Sequence, residues 1–133
     1  KIAAVRDLAA RTLDGTVPPL AKLRRMSEEE IIDQLTKVRG IGVWSVQMFL
    51  MFQLGRPDVL PIHDLGIQKG FKRVYGHADM PKPQMILEHA ERWRPYRSIA
   101  SWYLWRAAEE KIADIQIVIA KRPRKNGKNS RVR

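Results

Sequence analysis

Cysteine is absent from all 133 residues, which excludes a disulfide, a thiolate metal site and a cysteine-ligated iron–sulfur cluster. Long apolar runs are missing too. None approaches the roughly 20 residues that cross a bilayer, no signal peptide is visible, and no membrane association is expected. Histidine is scarce, and His63, His77 and His89 have no metal-ligand spacing. Strand signals are lacking before residue 112, where no period-two alternation of any length occurs. There is no initiator methionine either: a helical pattern begins directly after Lys1, as in a fragment or a processed product.

Positive charge is plentiful but uneven. The formal net charge is +11, yet residues 121–133 (KRPRKNGKNSRVR) hold seven Lys or Arg and no acid. The other 120 residues carry 18 basic and 14 acidic side chains, a net of only +4. The basic tail has no apolar cluster and is expected to be disordered. Such a tail suits nucleic acid, where each neutralised phosphate releases condensed counterion. It suits a general solubilising end equally well, and charge alone does not decide.

Residues 1–120 suffice for one modest domain with a hydrophobic core. Ile2, Val5, Leu8, Ala9 and Leu13 recur at helical spacing and predict an amphipathic helix over 2–13, ended by Gly15 and the Pro18–Pro19 pair. Ser27 followed by Glu30 reads as a capping box, opening a helix with Ile31, Ile32 and Leu35 on its inner face. From Val43 to Leu54 nearly every side chain is apolar, which predicts a helix buried on all sides. Beyond a loop with Gly55, Pro57 and Pro61, helices are expected over about 64–75, 85–93 and 96–110. Residues 112–119 are β-branched enough to be helix or strand. The fold class is therefore all-α, a bundle of about six helices with short connections.

Between two of these helices lies TKVRGIGVWSV, residues 36–46, with glycines two apart. Glycine allows tight backbone geometry and leaves no side chain in the way of a phosphate. Peptide N–H groups at the next helix start, around Gly42 to Trp44, favour an anion. Ile41 between the glycines can drop into the core and fix the turn. An ordinary turn of a packed bundle, with the glycines serving only as caps, fits the same residues.

Helix, hxGhG turn and helix resemble the helix–hairpin–helix element of the base-excision DNA glycosylases. The resemblance implies that backbone amides at Gly40, Gly42, Val43 and Trp44 grip a DNA phosphate. It also implies that the carbonyls of Thr36, Val38 and Ile41 hold a monovalent cation, Na+ or K+. No other cofactor is expected.

The family's second signature is a Gly/Pro-rich loop that ends in an aspartate opening a helix. GRPDVLPIHDLGIQKG, residues 55–70, places Asp64 there, with Asp58 as the rival acid. Asp64 stands beside apolar Leu60, Ile62, Leu65 and Ile67, so partial burial is expected. A plain N-cap, worth about 0.5–2 kcal/mol, is the alternative. Together, hairpin and loop in this order favour Asp64 as the catalytic carboxylate. His63 is left with phosphate or solvent contact.

Four positions after the first hairpin glycine, family members that also cut the backbone carry a lysine nucleophile. Here the residue is Trp44, so a covalent route has no amine to use. Trp44, Met48 one turn later, and Trp105 match base-pocket positions of the AlkA-like alkylpurine branch. The stretch AERWRPYRSIASWYLWRAAE, residues 90–109, resembles that branch as well, in which an aromatic at the position of Trp105 faces the catalytic aspartate. Trp102 and Trp105 could also be core aromatics.

The resemblance, which covers residues 1 to about 110, implies a monofunctional DNA-3-methyladenine glycosylase of type II. Its partner would be double-stranded DNA containing alkylated purines, its compartment the cytoplasm, or the nucleus in a eukaryote. The family's domain is normally longer at its N-terminal side, so a missing segment or a partner chain is expected to complete the bundle. A non-catalytic helix–hairpin–helix DNA-binding module is the runner-up, and a purely structural helical domain the third possibility.

Overall fold

The computed structural model describes residues 2–109; the segment 112–119 and the basic tail 121–133 lie outside the described residues. Among the described residues there is no strand. The chain runs α1 (Ile2–Leu13), α2 (Leu20–Leu23), α3 (Glu28–Leu35), α4 (Val43–Phe52), α5 (Leu65–Tyr75), α6 (Pro83–Ala90), a 3-10 turn at Glu91–Trp93, and α7 (Arg97–Glu109). None of these helices is long and apolar enough to cross a membrane. The short α2 has too few residues to show a period, and for that reason it was not expected.

Local signals explain most of the boundaries. Ser27 Oγ accepts from the Glu30 amide at 3.1 Å while Glu30 Oε2 accepts from the Ser27 amide at 2.8 Å, a complete capping box at the start of α3. Asp64 caps α5 by accepting from the Ile67 amide at 2.9 Å. Gly76, at φ +69°, closes the same helix in the left-handed conformation.

Two apolar clusters form the interior. The first joins Leu23, Ile31, Leu35, Val46, Leu50 and Val59, with Ile41 packed against it from the hairpin. The second joins Ile67, Phe71, Ile86 and Leu104, from α5, α6 and α7. The loop between α4 and α5 is pinned by polar contacts. Arg97 grips Asp58 through Nε to Oδ1 at 2.7 Å and Nη2 to Oδ2 at 3.0 Å, and Arg94 Nη1 adds a bond to Oδ2 at 2.8 Å. Ser98 Oγ donates to the Arg56 carbonyl at 2.6 Å and accepts from the Val59 amide at 2.9 Å.

Two helices leave apolar surface exposed, and the first was expected to be buried on all sides. In α4 only Val46 and Leu50 are buried, whereas Val43, Trp44 and Phe52 are exposed. Apolar residues around the whole helix thus do not mean burial on all sides; here they leave a sticky outer face. In α1 the apolar stripe points outward, with Ile2 72 % and Val5 68 % exposed and no residue buried. Its half-buried positions are Ala4, Asp7 and Arg11. Asp7 Oδ2 accepts from the Arg39 amide at 2.7 Å, and Ala4 lies against Gly40 of the hairpin, so polar anchoring holds this helix.

Candidate functional site

The hairpin turn follows the end of α3. Gly40 adopts φ +83°, a conformation that favours glycine, and a Cβ there would lie 3.3 Å from the Ala4 Cβ. Ile41 N donates to the Val38 carbonyl at 3.1 Å, which closes the turn and leaves that carbonyl a second lone pair. Gly42 then serves as N-cap of α4 with φ −99° and ψ 172°, and no side chain caps this end. The first amides of a helix have no partner within it. Those of α4 therefore open onto solvent beside an exposed Gly42, whose missing Cβ would meet nothing within 4 Å.

Asp64 is half-buried at the start of α5. Three elements converge on its carboxylate. Trp44 Nε1, from the first turn of α4, donates to Oδ2 at 2.7 Å. Trp105 Nε1, from α7, donates to Oδ1 at 2.7 Å. The Ile67 amide at the start of α5 donates to Oδ1 at 2.9 Å. Burial pushes the Asp64 carboxyl up, but bonds from Trp105, the Ile67 amide, Trp44 and the Gly66 amide together outweigh it. The net result is a pKa below the ordinary aspartate value, so the group is a carboxylate at neutral pH. Such charge-assisted bonds are short and strong. The carboxylate is fixed in direction as well as in charge.

The rival acid has a different task. Asp58 is held below its ordinary pKa mainly by the Arg97 guanidinium, and it ties the loop to α7. With two arginines on its oxygens it is a structural anchor. His63 is exposed beside Asp64 and lines a separate cavity of about 320 Å³ with Glu28, Val43 and Gln47. Among the described residues no cluster of His, Cys, Asp or Glu side chains could hold a metal ion.

No family model matches the chain. It is 39 % identical over 114 residues to DNA-3-methyladenine glycosylase 1 of Schizosaccharomyces pombe, covering 86 % of this chain and 49 % of that protein. A solved structure of Schizosaccharomyces pombe 3-methyladenine DNA glycosylase, in complex with abasic DNA, matches with TM-score 0.78 at 36 % identity. That match covers 84 % of this chain and 54 % of the other. The crystal structure of a Bacillus halodurans DNA-3-methyladenine glycosidase matches with TM-score 0.79 at 31 % identity, over 90 % and 56 % of the two chains. The chain belongs to the helix–hairpin–helix DNA glycosylase superfamily, in its AlkA- and Mag-like branch. It spans about half the length of these relatives.

Within this glycosylase-family chain the structure brings together Asp64, Trp44 and Trp105, three of the residues singled out in the sequence. Met48 follows one turn along α4 and is half-buried. Gly42, Val43 and Trp44 form the open helix start, and Gly40 the turn before it. Thr36 is the C-cap residue of α3, with Val38 buried and Ile41 half-buried in the turn. Sequence reasoning missed that both indoles donate their N–H to the carboxylate, Trp44 as well as Trp105. It also missed Phe52, which stacks on Trp105 with ring centroids 6.0 Å apart, and Gly66 and Gly70, which admit α7. Glycines four apart within DLGIQKG were the available signal for a close helix approach.

Proposed function

We propose that the protein is a monofunctional DNA glycosylase of the type II, alkylpurine-releasing kind, acting on duplex DNA. The observation that carries this is the Asp64 carboxylate, locked at the start of α5 by one indole N–H on each oxygen. It stands twenty positions after a residue at the open amide end of α4. The relatives' names, 3-methyladenine glycosylases, point to the substrate class. The amides at Gly42, Val43 and Trp44 would take a backbone phosphate and so set the register of the strand without reading its bases.

A purine methylated at N3 or N7 carries positive charge and leaves readily. As its bond to C1′ breaks, the bonding pair departs with the base and positive charge grows on the sugar. A fixed carboxylate stabilises that charge in a site where it need not reorganise. Water then adds to C1′ and gives up a proton to Asp64 or to solvent. The products are free base and an abasic strand. Trp44 offers no amine, so no Schiff base to the sugar forms at this position. Indole faces at Trp44 and Trp105, with Met48, supply apolar and cation–π surface worth about 0.5–2 kcal/mol for a cationic base outside the stack.

The main-chain carbonyls of Thr36, Val38 and Ile41 would hold a monovalent cation: Thr36 is the C-cap residue at the negative end of α3, and the Val38 carbonyl accepts from the Ile41 amide in the turn that follows. When bound, the cation would add positive charge beside the phosphate held by α4. The outward apolar stripe of α1, through Ile2 and Val5, is where a further segment of the polypeptide or a partner chain would complete the bundle.

The test is single-turnover release from duplex DNA carrying 7-methylguanine or 3-methyladenine, using the intact polypeptide that contains these residues. Free methylated base and an alkali-labile abasic strand are expected. Binding without release would favour the non-catalytic module, and an efficient borohydride-trapped adduct would overturn the monofunctional assignment.

A further inference from the structure

Helix α5 carries glycine at 66 and 70, one turn apart, and both face α7 at its closest approach. A Cβ at Gly70 would lie 1.9 Å from the Leu104 carbonyl oxygen, so the backbone of α7 occupies that space. A Cβ at Gly66 would lie 2.6 Å from Cδ1 and 3.1 Å from Nε1 of the Trp105 indole, and 3.0 Å from Asp64 Oδ1. The atoms crowded by any side chain at 66 are the two partners of one hydrogen bond. The positive-φ glycines are Gly15, Gly40, Gly55 and Gly76, so backbone conformation does not require glycine at 66. Helix propensity would favour alanine there. The space is used by the indole.

We propose that Gly66 is a positioning residue for the candidate carboxylate: its missing side chain admits the Trp105 indole to Asp64 Oδ1 and so fixes the direction in which the carboxylate faces. Gly70 acts before it, by letting the backbone of α7 come close enough for residue 105 to reach the start of α5. The stacking of Phe52 on the Trp105 ring bears on the indole from a third element and limits how far it can retreat. A methyl group at 66 must therefore displace the indole against Phe52 and pull its N–H from the carboxylate. The oxygen then keeps the Ile67 amide but loses a donor of charge-assisted strength.

The significance of Gly66 rests on Asp64 being the working carboxylate, but its test reads the carboxylate itself and holds whether or not any base is released. Carbon-13 titration of the Asp64 side chain in the intact polypeptide should show a higher midpoint in Gly66→Ala than in the parent. Trp105→Phe, which keeps an aromatic ring but removes the N–H donor, should raise it likewise, and adding Gly66→Ala to Trp105→Phe should raise it no further. An unchanged midpoint in folded Gly66→Ala protein overturns the proposal. If Gly66→Ala alone prevents folding, the stability cycle decides. The loss caused by alanine at 66 should shrink sharply in the Trp105→Ala background, and an equal loss in both backgrounds overturns the proposal.

Discussion

The Trp105 indole N–H donates to Asp64 Oδ1 at 2.7 Å, joining residues 41 positions apart in sequence. Trp44 does the same to Oδ2, so the carboxylate is gripped between α4 and α7 and its remaining lone pairs are the ones free to meet a substrate. Replacing Trp44 with Phe keeps an aromatic face and removes one donor. Base release at neutral pH should slow about tenfold, which corresponds to one bond to a charged group. Because those bonds lower the Asp64 pKa, the acid limb of the rate profile should move to higher pH. Rates of base release over about pH 4 to 8 would check this, and an unmoved acid limb would show that the N–H is not what matters.

His89 predicts acid sensitivity from another part of the fold. Its ring lies among Phe71, Tyr75 and Trp93, and its Nε2 is buried without a hydrogen-bond partner. Burial, then Arg92 and His77 nearby, hold its pKa below the ordinary 6.5. A histidine with a lowered folded pKa takes up its proton at lower pH than in the unfolded chain, so its contribution to stability is present above pH 6.5 and is lost as pH falls from there through the lower folded value. Melting temperature should drop as pH falls from 6.5, and His89→Phe should flatten that part of the profile. A parallel profile for the variant would assign the acid loss elsewhere.

Asp58 gives a contrasting prediction. Its oxygens hold Arg97 and Arg94, and Arg97 is only 12 % exposed. Asp58→Asn should destabilise the protein by about 1–3 kcal/mol through weakened bonds to charged partners. The rate of base release per folded molecule should stay at the parent value. The Asp58 carboxyl is lowered by Arg97, so its contribution is present above pH 3.8 and fades as pH falls through the lower folded value. Urea melts at pH 7 with single-turnover rates would separate the two effects.

How much was legible follows from what each signal encodes. The capping box at Ser27 and Glu30, the Asp64 cap and the glycine turn are local devices, written in adjacent residues, and they stand where the spacing put them. Pairing Asp64 with Trp105, and placing Trp44 in the base pocket, rests on family resemblance, because residues brought together from α4, α5 and α7 leave no periodic trace. Burial was misjudged for α4, since apolar residues all round a helix mark surface that can be covered and not the neighbour that covers it. Gly66 went unnoticed for the same reason. An absent side chain acquires meaning only once the indole beside it is known.

The two hairpin glycines should separate folding from binding. Gly40 sits at φ +83° against Ala4, so Gly40→Ala should cost about 1–2 kcal/mol of stability. Gly42 has an ordinary extended conformation with open space where a Cβ would be. Gly42→Val should fold like the parent but screen the α4 amides, weakening duplex binding about tenfold whatever the bases. Thermal melts and fluorescence-anisotropy titrations with unrelated duplexes would check both, and full affinity in Gly42→Val would remove the hairpin from DNA binding.

The sharpest prediction is the isosteric change Asp64→Asn. Asparagine is as good an N-cap as aspartate, so its oxygen can still accept from the Ile67 amide and α5 should start unchanged. That oxygen can also keep the Trp105 bond. The other terminus becomes an NH2 group facing the Trp44 N–H, donor against donor, where Oδ2 accepted at 2.7 Å. The Trp44 indole should therefore swing outward, which its 52 % exposure permits. Helix content should match the parent while tryptophan fluorescence changes. The negative charge opposite the sugar is lost, so base release should fall about 10²-fold or more, with much less effect on duplex affinity. Single-turnover kinetics beside anisotropy titrations would show the division. A parent-like rate in the folded Asn protein would remove Asp64 from the chemistry, and a matching collapse of affinity and rate would make it a binding group instead.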